Sequence, residues 1–302
     1  STPDLQSVNS VGEVKIKHDI VQAKDVVAAL TQAKNKHLTD DLYLMHYAQQ
    51  GIALDGNAEM IDDAIGMQAS DLMVLYHLMM MPVKGRQNLQ QLLQECDVSI
   101  DQMLFDAVST AEYGLLPEEK YHGVCLIDIG ASTTSICVYR EDKLIYTHCF
   151  AEGGHHATLD ISMLLDVTIA EAENMKKSQA NVDRHGIDSS QFFTIKRSQH
   201  DDEKTINMLE LLEVTEARYI SILGHIKKEL DKEGLSEFLQ QGYVITGGGA
   251  EMRGLLPLAK KIFANKVNKV NQHSAISAYT QYGDDDKLRT IAAMIGERKY
   301  QT

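Results

Sequence analysis

The sequence predicts an α/β protein, because buried strands and amphipathic helices follow one another along the whole chain. Residues 124–127 form a continuous apolar run, as in a strand that is covered on both faces. Residues 242–246 form a second short buried strand, which runs into three consecutive glycines. Residues 208–232 carry apolar side chains at helical spacing and predict a long amphipathic helix.

Composition limits the classes of function. The chain has 302 residues, a length sufficient for about two domains. Its hydrophobic fraction of 44% is sufficient for a sizeable core. Its formal net charge of −14 excludes a nonspecific nucleic-acid binder or a broad basic membrane patch, since both need a basic face. Nucleotide binding stays open, because backbone N–H groups and Mg²⁺ can neutralise phosphates locally.

The first 122 residues predict a mixture of strands and helices. Asp25 is predicted to cap a helix, and the methionines at 79–81 are predicted to fill the core. The predicted elements are a turn at 11–13, strands at 14–17, 42–48 and 66–80, helices at 25–34, 88–95 and 107–115, and a polar connection at 118–120.

The remainder alternates strands and helices. Thr168 and Glu171 predict a capping box at the start of one helix. All four cysteines, Cys96, Cys125, Cys137 and Cys149, are predicted to be free buried thiols. The predicted elements are strands at 124–127, 136–139, 144–150 and 242–246, helices at 156–165, 169–177, 208–232, 255–263 and 288–295, and an irregular polar segment at 179–207.

Two turns carry candidate chemistry. The first, which we call the acidic turn, contains Asp128, Gly130, Ser132 and Thr133. Its N–H groups and hydroxyls could hold a phosphate, and its carboxylate could orient Mg²⁺ through water. The same residues also suit an ordinary hairpin. The second turn has three glycines at 247–249, which remove every Cβ that would block a flat ring or a phosphate, although a plain loop would look alike.

Taken together, the two turns resemble the nucleotide site of the actin-like ATPases. Their surroundings resemble the FtsA family of bacterial cell-division proteins. The motifs that carry this resemblance are GVCLIDIGASTTSICVY at 123–139, AEAENMK at 170–176, LLEVTEARY at 211–219 and VITGGGAEMRGL at 244–255, with a looser match at 9–13.

The resemblance implies an α/β, actin-like ATPase (ribonuclease H-like) fold with an inserted small subdomain. The implied regions are the remainder of the first half (subdomain 1A) at 1–11, 81–121 and 284–302, the insert (1C) at 12–80, the second half (2A) at 122–151 and 240–283, and a nucleotide-covering, partner-binding subdomain (2B) at 152–239.

The resemblance also implies ATP and Mg²⁺ as cofactors and a role for each matching residue. The acidic turn would hold phosphates, with Asp128 reaching the metal through water. The other implied nucleotide-binding residues are Gly153 and Gly154 at the opening of the covering subdomain, Glu173 and Lys176 beside the ribose and adenine, and Gly247, Gly248 and Gly249 in the adenosine turn. Without the resemblance, Glu173 and Lys176 would be interpreted as a solvated surface pair.

Two segments of the family pattern are missing from the sequence. FtsA-like chains carry a first acidic phosphate turn near the N-terminus, and none precedes Asp128 here. Residues 297–302 are basic but lack the apolar face of the membrane-binding C-terminal helix. We therefore expect a truncated or trimmed chain that lacks the N-terminal β-hairpin region, half of the phosphate clamp and the membrane anchor. The alternative is a divergent protein that has lost both segments.

The function that the resemblance implies is that of an ATP-binding cell-division protein. Such a protein self-assembles and links the FtsZ ring to the cytoplasmic membrane and to other divisome proteins, from the cytoplasmic side of the membrane at the division site. The FtsZ C-terminal tail is the expected partner, with Glu216, Arg218 and Tyr219 on the 208–232 helix as expected contacts. These charges could equally belong to an ordinary exposed helix.

Two alternatives share the implied fold. One is a scaffold of the pilus-assembly type, and the other is a sugar-kinase-like phosphotransferase, which would need a base that positions its substrate. No catalytic residue is identifiable from the sequence, so we expect at most a slow ATPase. Nucleic acid is not an expected partner.

Overall fold

Two β-sheets, a small hairpin and the helices packed on them make up the part of the chain that the structure describes, residues 2–100, 103–185, 190–196 and 203–270 of a computed structural model. The elements before the acidic turn are β1 (Gln6–Lys15), α1 (Ala23–Asn35), β2 (Leu42–Leu54), β3 (Asp71–Pro82), α2 (Val83–Gln94), α3 (Asp106–Gly114) and α4 (Pro117–His122).

The second half begins with an antiparallel meander and continues mainly with helices. Its elements are β4 (Val124–Ile129), β5 (Thr134–Arg140), β6 (Lys143–Phe150), α5 (Gly154–Leu164), α6 (Ile169–Ser178), β7 (Phe192–Lys196), β8 (Glu203–Asn207), α7 (Met208–Lys232), β9 (Tyr243–Thr246), α8 (Leu255–Phe263) and β10 (Val267–Lys269). Short 3₁₀ turns cover Ser236–Phe238 and Gly248–Glu251. The predicted helix at 288–295 lies outside the described residues.

The five-stranded sheet has the order β10-β9-β4-β5-β6, with β4 antiparallel to β5 and parallel to β9. Helices cover both of its faces. Cys125 and Ile127 pack with residues of α7 and α8, whereas Val124 and Leu126 pack with residues of α3. The prediction of a strand buried on both faces is therefore confirmed. All four cysteines are free thiols, and Cys125, Cys137 and Cys149 are buried as predicted. Cys96 is exposed instead, because it follows helix α2, none of whose residues is buried.

The three-stranded sheet has the order β1-β3-β2 and carries α1. Gly12, predicted to lie in a turn, continues β1 opposite Val74. A Cβ at Gly12 would lie 2.0 Å from the carbonyl oxygen of Ala29. The glycine is therefore needed because α1 packs closely on β1 at this position, and not because the chain turns there. The predicted subdomain boundary at residue 12 consequently falls inside β1.

Three other predictions need correction. Residues 118–120 belong to helix α4, where the carboxylate of Glu119 accepts a hydrogen bond from the backbone N–H of Leu116 at 2.8 Å. The segment 179–207 contains the hairpin β7–β8, because Phe193, Ile195 and Ile206 contribute to a small core beside α5 and α6. Asp25 does cap α1, but from its third helical position, by accepting from the backbone N–H of Gln22 at 2.8 Å.

The three-stranded sheet contacts the core through the edge strand β6. Ser7 donates to the backbone carbonyl of Thr147 at 2.6 Å, Asn9 to that of Ile145 at 3.2 Å, and Gln50 to that of Leu144 at 2.9 Å. Met79 packs with Leu5 and Phe105 in the same contact. The methionines at 79–81 are buried, as predicted, and one of them fills this contact between the two sheets.

His77 lies at the centre of this contact and is 1% exposed. Its Nδ1 lies 2.7 Å from Oδ1 of Asn9 on β1, and its Nε2 lies 2.9 Å from Oγ1 of Thr147 on β6. Burial, with the nearby His46 on β2, lowers the pKa of His77 to about 4. The native state therefore keeps the imidazole neutral.

Unfolding should become easier as the pH falls from about 6.5 to about 4, because the unfolded chain protonates His77 over this interval and the native chain does not. This single group should cost up to about 3 kcal/mol at pH 4. Urea unfolding of the wild type and of His77→Gln across this interval measures the difference. The exposed His18→Gln is the matched control, and equal pH slopes for wild type and His77→Gln would contradict the assignment.

Candidate functional site

The acidic turn connects β4 to β5. Asp128 lies one residue before the end of β4, and Gly130 closes the turn by donating its N–H to the carbonyl of Thr133 at 2.9 Å. Ser132 is exposed at the tip and Thr133 is half-buried. The turn therefore presents hydroxyls to solvent above a partly buried carboxylate.

The environment of Asp128 disfavours its negative charge. Burial, together with the carboxylate of Asp106 at the start of α3, raises its pKa to about 7. A cation placed here would favour the ionised form.

The three glycines after β9 press against the end of β4. Gly247 has φ +92°, and a Cβ on it would lie 2.4 Å from Oδ1 of Asp128 and 2.5 Å from the carbonyl oxygen of Ile129. A Cβ on Gly249 would lie 2.4 Å from Cγ2 of Ile129. Because β9 runs parallel to β4, with Thr246 opposite Asp128, both turns emerge at the same end of the sheet.

A third turn, at Gly153 and Gly154, completes the cluster. The N–H of Gly154 donates to the carbonyl of Gly130 at 2.9 Å, and that of His155 to the carbonyl of Ala131 at 2.7 Å. A Cβ on Gly154 would lie 3.5 Å from Cα of Gly249. The three turns, from distant parts of the sequence, therefore meet in one place.

Helix α6 adds a charged pair beside these turns, and its predicted capping box by Thr168 and Glu171 is present. Nζ of Lys176 donates to the carbonyl of Gly154 at 2.9 Å and to Oγ1 of Thr158 at 2.7 Å, and it pairs with Glu173 at 2.7 Å. Lys176 is therefore tied to the third turn and is not a solvated surface charge.

The Glu173 carboxylate stays ionised in this pair. Burial alone would raise its pKa, but hydrogen bonds from Lys176, Thr158 and Lys177 outweigh burial and lower the pKa to about 2. Thr158, on α5, is a member of the site that the sequence did not predict. It is four residues beyond Gly154, and only the packing of α5 on α6 brings it to Glu173.

The residues predicted to contact a partner mostly face inward. Tyr219 is 1% exposed, and its hydroxyl donates to the carbonyl of Gly249 at 2.8 Å. Arg218 binds Asp160 of α5 through two hydrogen bonds of 2.6 and 3.0 Å. Glu216 pairs with Arg184 at 2.6 Å. Tyr219 is thus wrong as a surface contact, because helical spacing places it on the buried face of α7.

The donor set suits a nucleotide. Hydroxyls at the tip of the acidic turn can donate to phosphates, and a carboxylate beneath them can hold Mg²⁺ through water. The glycines let the three turns pack closely together. Lys176 with Glu173 offers one donor and one acceptor group beside them. Within the residues that the structure describes, no cluster of three or more His, Cys, Asp or Glu could hold a metal on its own. In the same residues, no helix has the length and apolar character to cross a membrane.

Solved structures with a similar fold are actin-like proteins. The PilM–PilN type IV pilus biogenesis complex matches with a TM-score of 0.60 and 13% identity, over 96% of this chain and 76% of that one. MreB5 of Spiroplasma citri bound to ADP matches with a TM-score of 0.56 and 18% identity, over 72% and 66% of the two chains. These likenesses concern the fold alone, and the predicted actin-like α/β fold is confirmed.

Family models match most of the sequence. "Cell division protein FtsA" matches residues 125–287, and "SHS2 domain inserted in FTSA" matches residues 3–80, which confirms the inserted subdomain. The SHS2 match contains the whole of β1, in agreement with the sheet.

Individual relatives agree with the family models. The cell division protein FtsA of Buchnera aphidicola subsp. Acyrthosiphon pisum is 27% identical over 266 residues, which are 86% of this chain and 63% of the relative. That of Pseudomonas aeruginosa is 27% identical over 259 residues, or 86% and 62%. The chain thus spans a little under two thirds of the length of these relatives. It belongs to the FtsA family of cell division proteins.

Proposed function

We propose that this chain binds an adenine nucleotide with Mg²⁺ in the cleft between its three turns. The observation that carries the proposal is their convergence, with the N–H of Gly154 on the carbonyl of Gly130 and with Gly247 and Gly249 against the end of β4. Support also comes from the similar fold of MreB5, which is bound to ADP. Slow hydrolysis of ATP is compatible with this site, but none of the described residues is assigned as a catalytic group.

Each side of the cleft has a separate role in this proposal. Ser132 and Thr133 donate to the phosphates, and Asp128 orients Mg²⁺ through water. The adenosine lies against the remaining members of the site, which are Gly153, Gly154, Glu173, Lys176, Gly247, Gly248 and Gly249.

Calorimetric titration of the chain with Mg–ADP tests this proposal. We expect saturable binding at one site, weaker than in a protein with two acidic phosphate turns, because the described residues supply one such turn. Ser132→Ala should weaken binding several-fold by removing a phosphate donor, whereas Ser178→Ala, at the end of α6, should not. No binding at millimolar nucleotide would overturn the proposal.

In the cell, we propose that the protein self-assembles and binds the C-terminal tail of FtsZ, at the cytoplasmic face of the membrane at the division site. Membership of the FtsA family supports this role. We propose the SHS2 subdomain (1C) for self-assembly and residues 152–239 (2B) for the FtsZ tail, with residues 81–121 and 122–151 belonging to the first (1A) and second (2A) actin-like halves.

The outward face of α7 is the place where a tail could bind, because Arg218 and Tyr219 are engaged inside the chain. Ile220, which is 44% exposed, lies on this outer face. An apolar contact there, next to the Glu216–Arg184 pair, would suit a tail with both apolar and charged residues.

Fluorescence anisotropy with a labelled FtsZ tail peptide checks this placement. Ile220→Asp should weaken binding about tenfold, because it puts a charge in an apolar contact. The matched control is Val27→Asp on α1, where Val27 is 61% exposed and far along the chain. If the peptide binds neither the wild type nor the control at high concentration, the FtsZ partner is wrong; if it binds Ile220→Asp as well as wild type, only the placement is wrong.

A further inference from the structure

Two consecutive residues of α7 contact two different sides of the candidate cleft. The buried hydroxyl of Tyr219 donates to the carbonyl of Gly249, in the turn after β9. The guanidinium of Arg218 is bound to Asp160 of α5 and lies 3.6 Å from the carboxylate of Glu152. Helix α7 therefore contacts the 247–249 turn directly, and it contacts the residues on either side of the 153–154 turn through Glu152 and Asp160.

The contacts of Arg218 act on the start of α5. Glu152 immediately precedes Gly153, and α5 begins at Gly154. Asp160 lies in the second turn of the same helix, so the guanidinium holds two points of one short segment. The side chains of Arg218, Asp160 and Glu152 are between 21% and 24% exposed, which is enough burial for a paired geometry to be well defined.

The two glycine turns leave little space between them. A Cβ on Gly154 would lie 3.5 Å from Cα of Gly249, so a small displacement of either turn changes the shape of the cleft. α7 is a single helix of 25 residues, with Leu212, Ile222 and Leu223 buried in its packing. A rigid element of this kind can fix the distance between the groups that it contacts.

We propose that Tyr219 and Arg218 are positioning residues that set the separation of the glycine turns at 153–154 and 247–249 for the adenosine part of a nucleotide. Neither side chain needs to touch the ligand. The inference rests on the proposed nucleotide site and goes beyond it by assigning a function to the inner face of α7.

Calorimetric titration of Mg–ADP and of AMP into wild type, Tyr219→Phe and Tyr243→Phe tests this inference. Tyr219→Phe removes one hydroxyl and should weaken both nucleotides by the same factor, about threefold to tenfold, because Gly249 is on the adenosine side. Tyr243→Phe removes another buried hydroxyl, at the far end of β9, where its ring stacks on Phe263. It should leave both affinities unchanged.

The outcomes separate the inference from the function on which it rests. If the wild type binds no ADP, both are wrong. If the wild type binds and Tyr219→Phe binds equally well, or if Tyr219→Phe and Tyr243→Phe lose the same factor, the positioning role alone is wrong. Should Tyr219→Phe fail to fold, Arg218→Lys compared with Arg184→Lys decides in the same way, since both remove an arginine fork and only Arg218 contacts α5.

Discussion

Gly247→Ala should destabilise the protein by at least about 3 kcal/mol and abolish nucleotide binding. Two separate costs add at this position. With φ +92° and ψ 164°, Gly247 lies in a backbone region that is essentially restricted to glycine, and a residue with a Cβ is strained there by about 1–3 kcal/mol. The new methyl group would also lie 2.4 Å from Oδ1 of Asp128 and 2.5 Å from a backbone carbonyl oxygen, so β4 and β9 would have to separate.

Gly234→Ala is the matched control for this prediction. Gly234 also has a positive φ, +68°, but no atom lies within 4 Å of its Cβ position. It should therefore lose only the strain, about 1 kcal/mol, and bind nucleotide normally. Urea denaturation gives the free energy of unfolding of each variant. Equal losses of this free energy in both variants would contradict the close packing of Gly247 against the end of β4.

Asp128→Asn should stabilise the folded chain and weaken binding of Mg–nucleotide. A carboxylate whose pKa is raised to about 7 in the native state, from 3.8, contributes stability that is present below about pH 4 and is lost as the pH rises through 7. Above pH 7 the wild type carries the full cost of the charge, up to about 4 kcal/mol, and the amide does not. The gain should therefore be largest at pH 8 and vanish near pH 4.

Thermal unfolding at pH 8 and at pH 4, together with Mg–ADP titration, measures both effects. The exposed Asp40→Asn is the control, and it should change neither quantity. If Asp128→Asn is stabilised but still binds Mg–ADP as tightly as wild type, the assignment of this carboxylate to the metal site is wrong. An unchanged unfolding temperature at pH 8 would instead contradict the burial of its charge.

Local signals in the sequence were sufficient where the structure depends on local physics. The bounds of α7 and α8 were predicted to the residue, since apolar periodicity extends through each helix. The capping box of α6 needs only residues three apart. The two turns at 128–133 and 247–249 were also predictable, because a strand that runs into glycine and hydroxyl residues is a local pattern.

What the sequence could not predict depends on which elements pack together. Gly12 looks like a turn residue, and only the position of α1 across β1 explains it as a close approach. Tyr219 was expected at the surface, and its hydrogen bond to Gly249 links residues thirty positions apart. Thr158 joins Glu173 and Lys176 through the packing of two helices, for which no spacing rule exists.

The contact between the SHS2 subdomain and β6 has a consequence for solubility. An edge strand with unpaired carbonyls is a template on which a strand of another molecule can add, and proteins protect such edges. Here the side chains of Ser7, Asn9 and Gln50 donate to three backbone carbonyls of β6. The subdomain therefore covers the edge of the larger sheet and protects it from edge-to-edge aggregation. Its displacement would expose β6 to strand addition by another molecule.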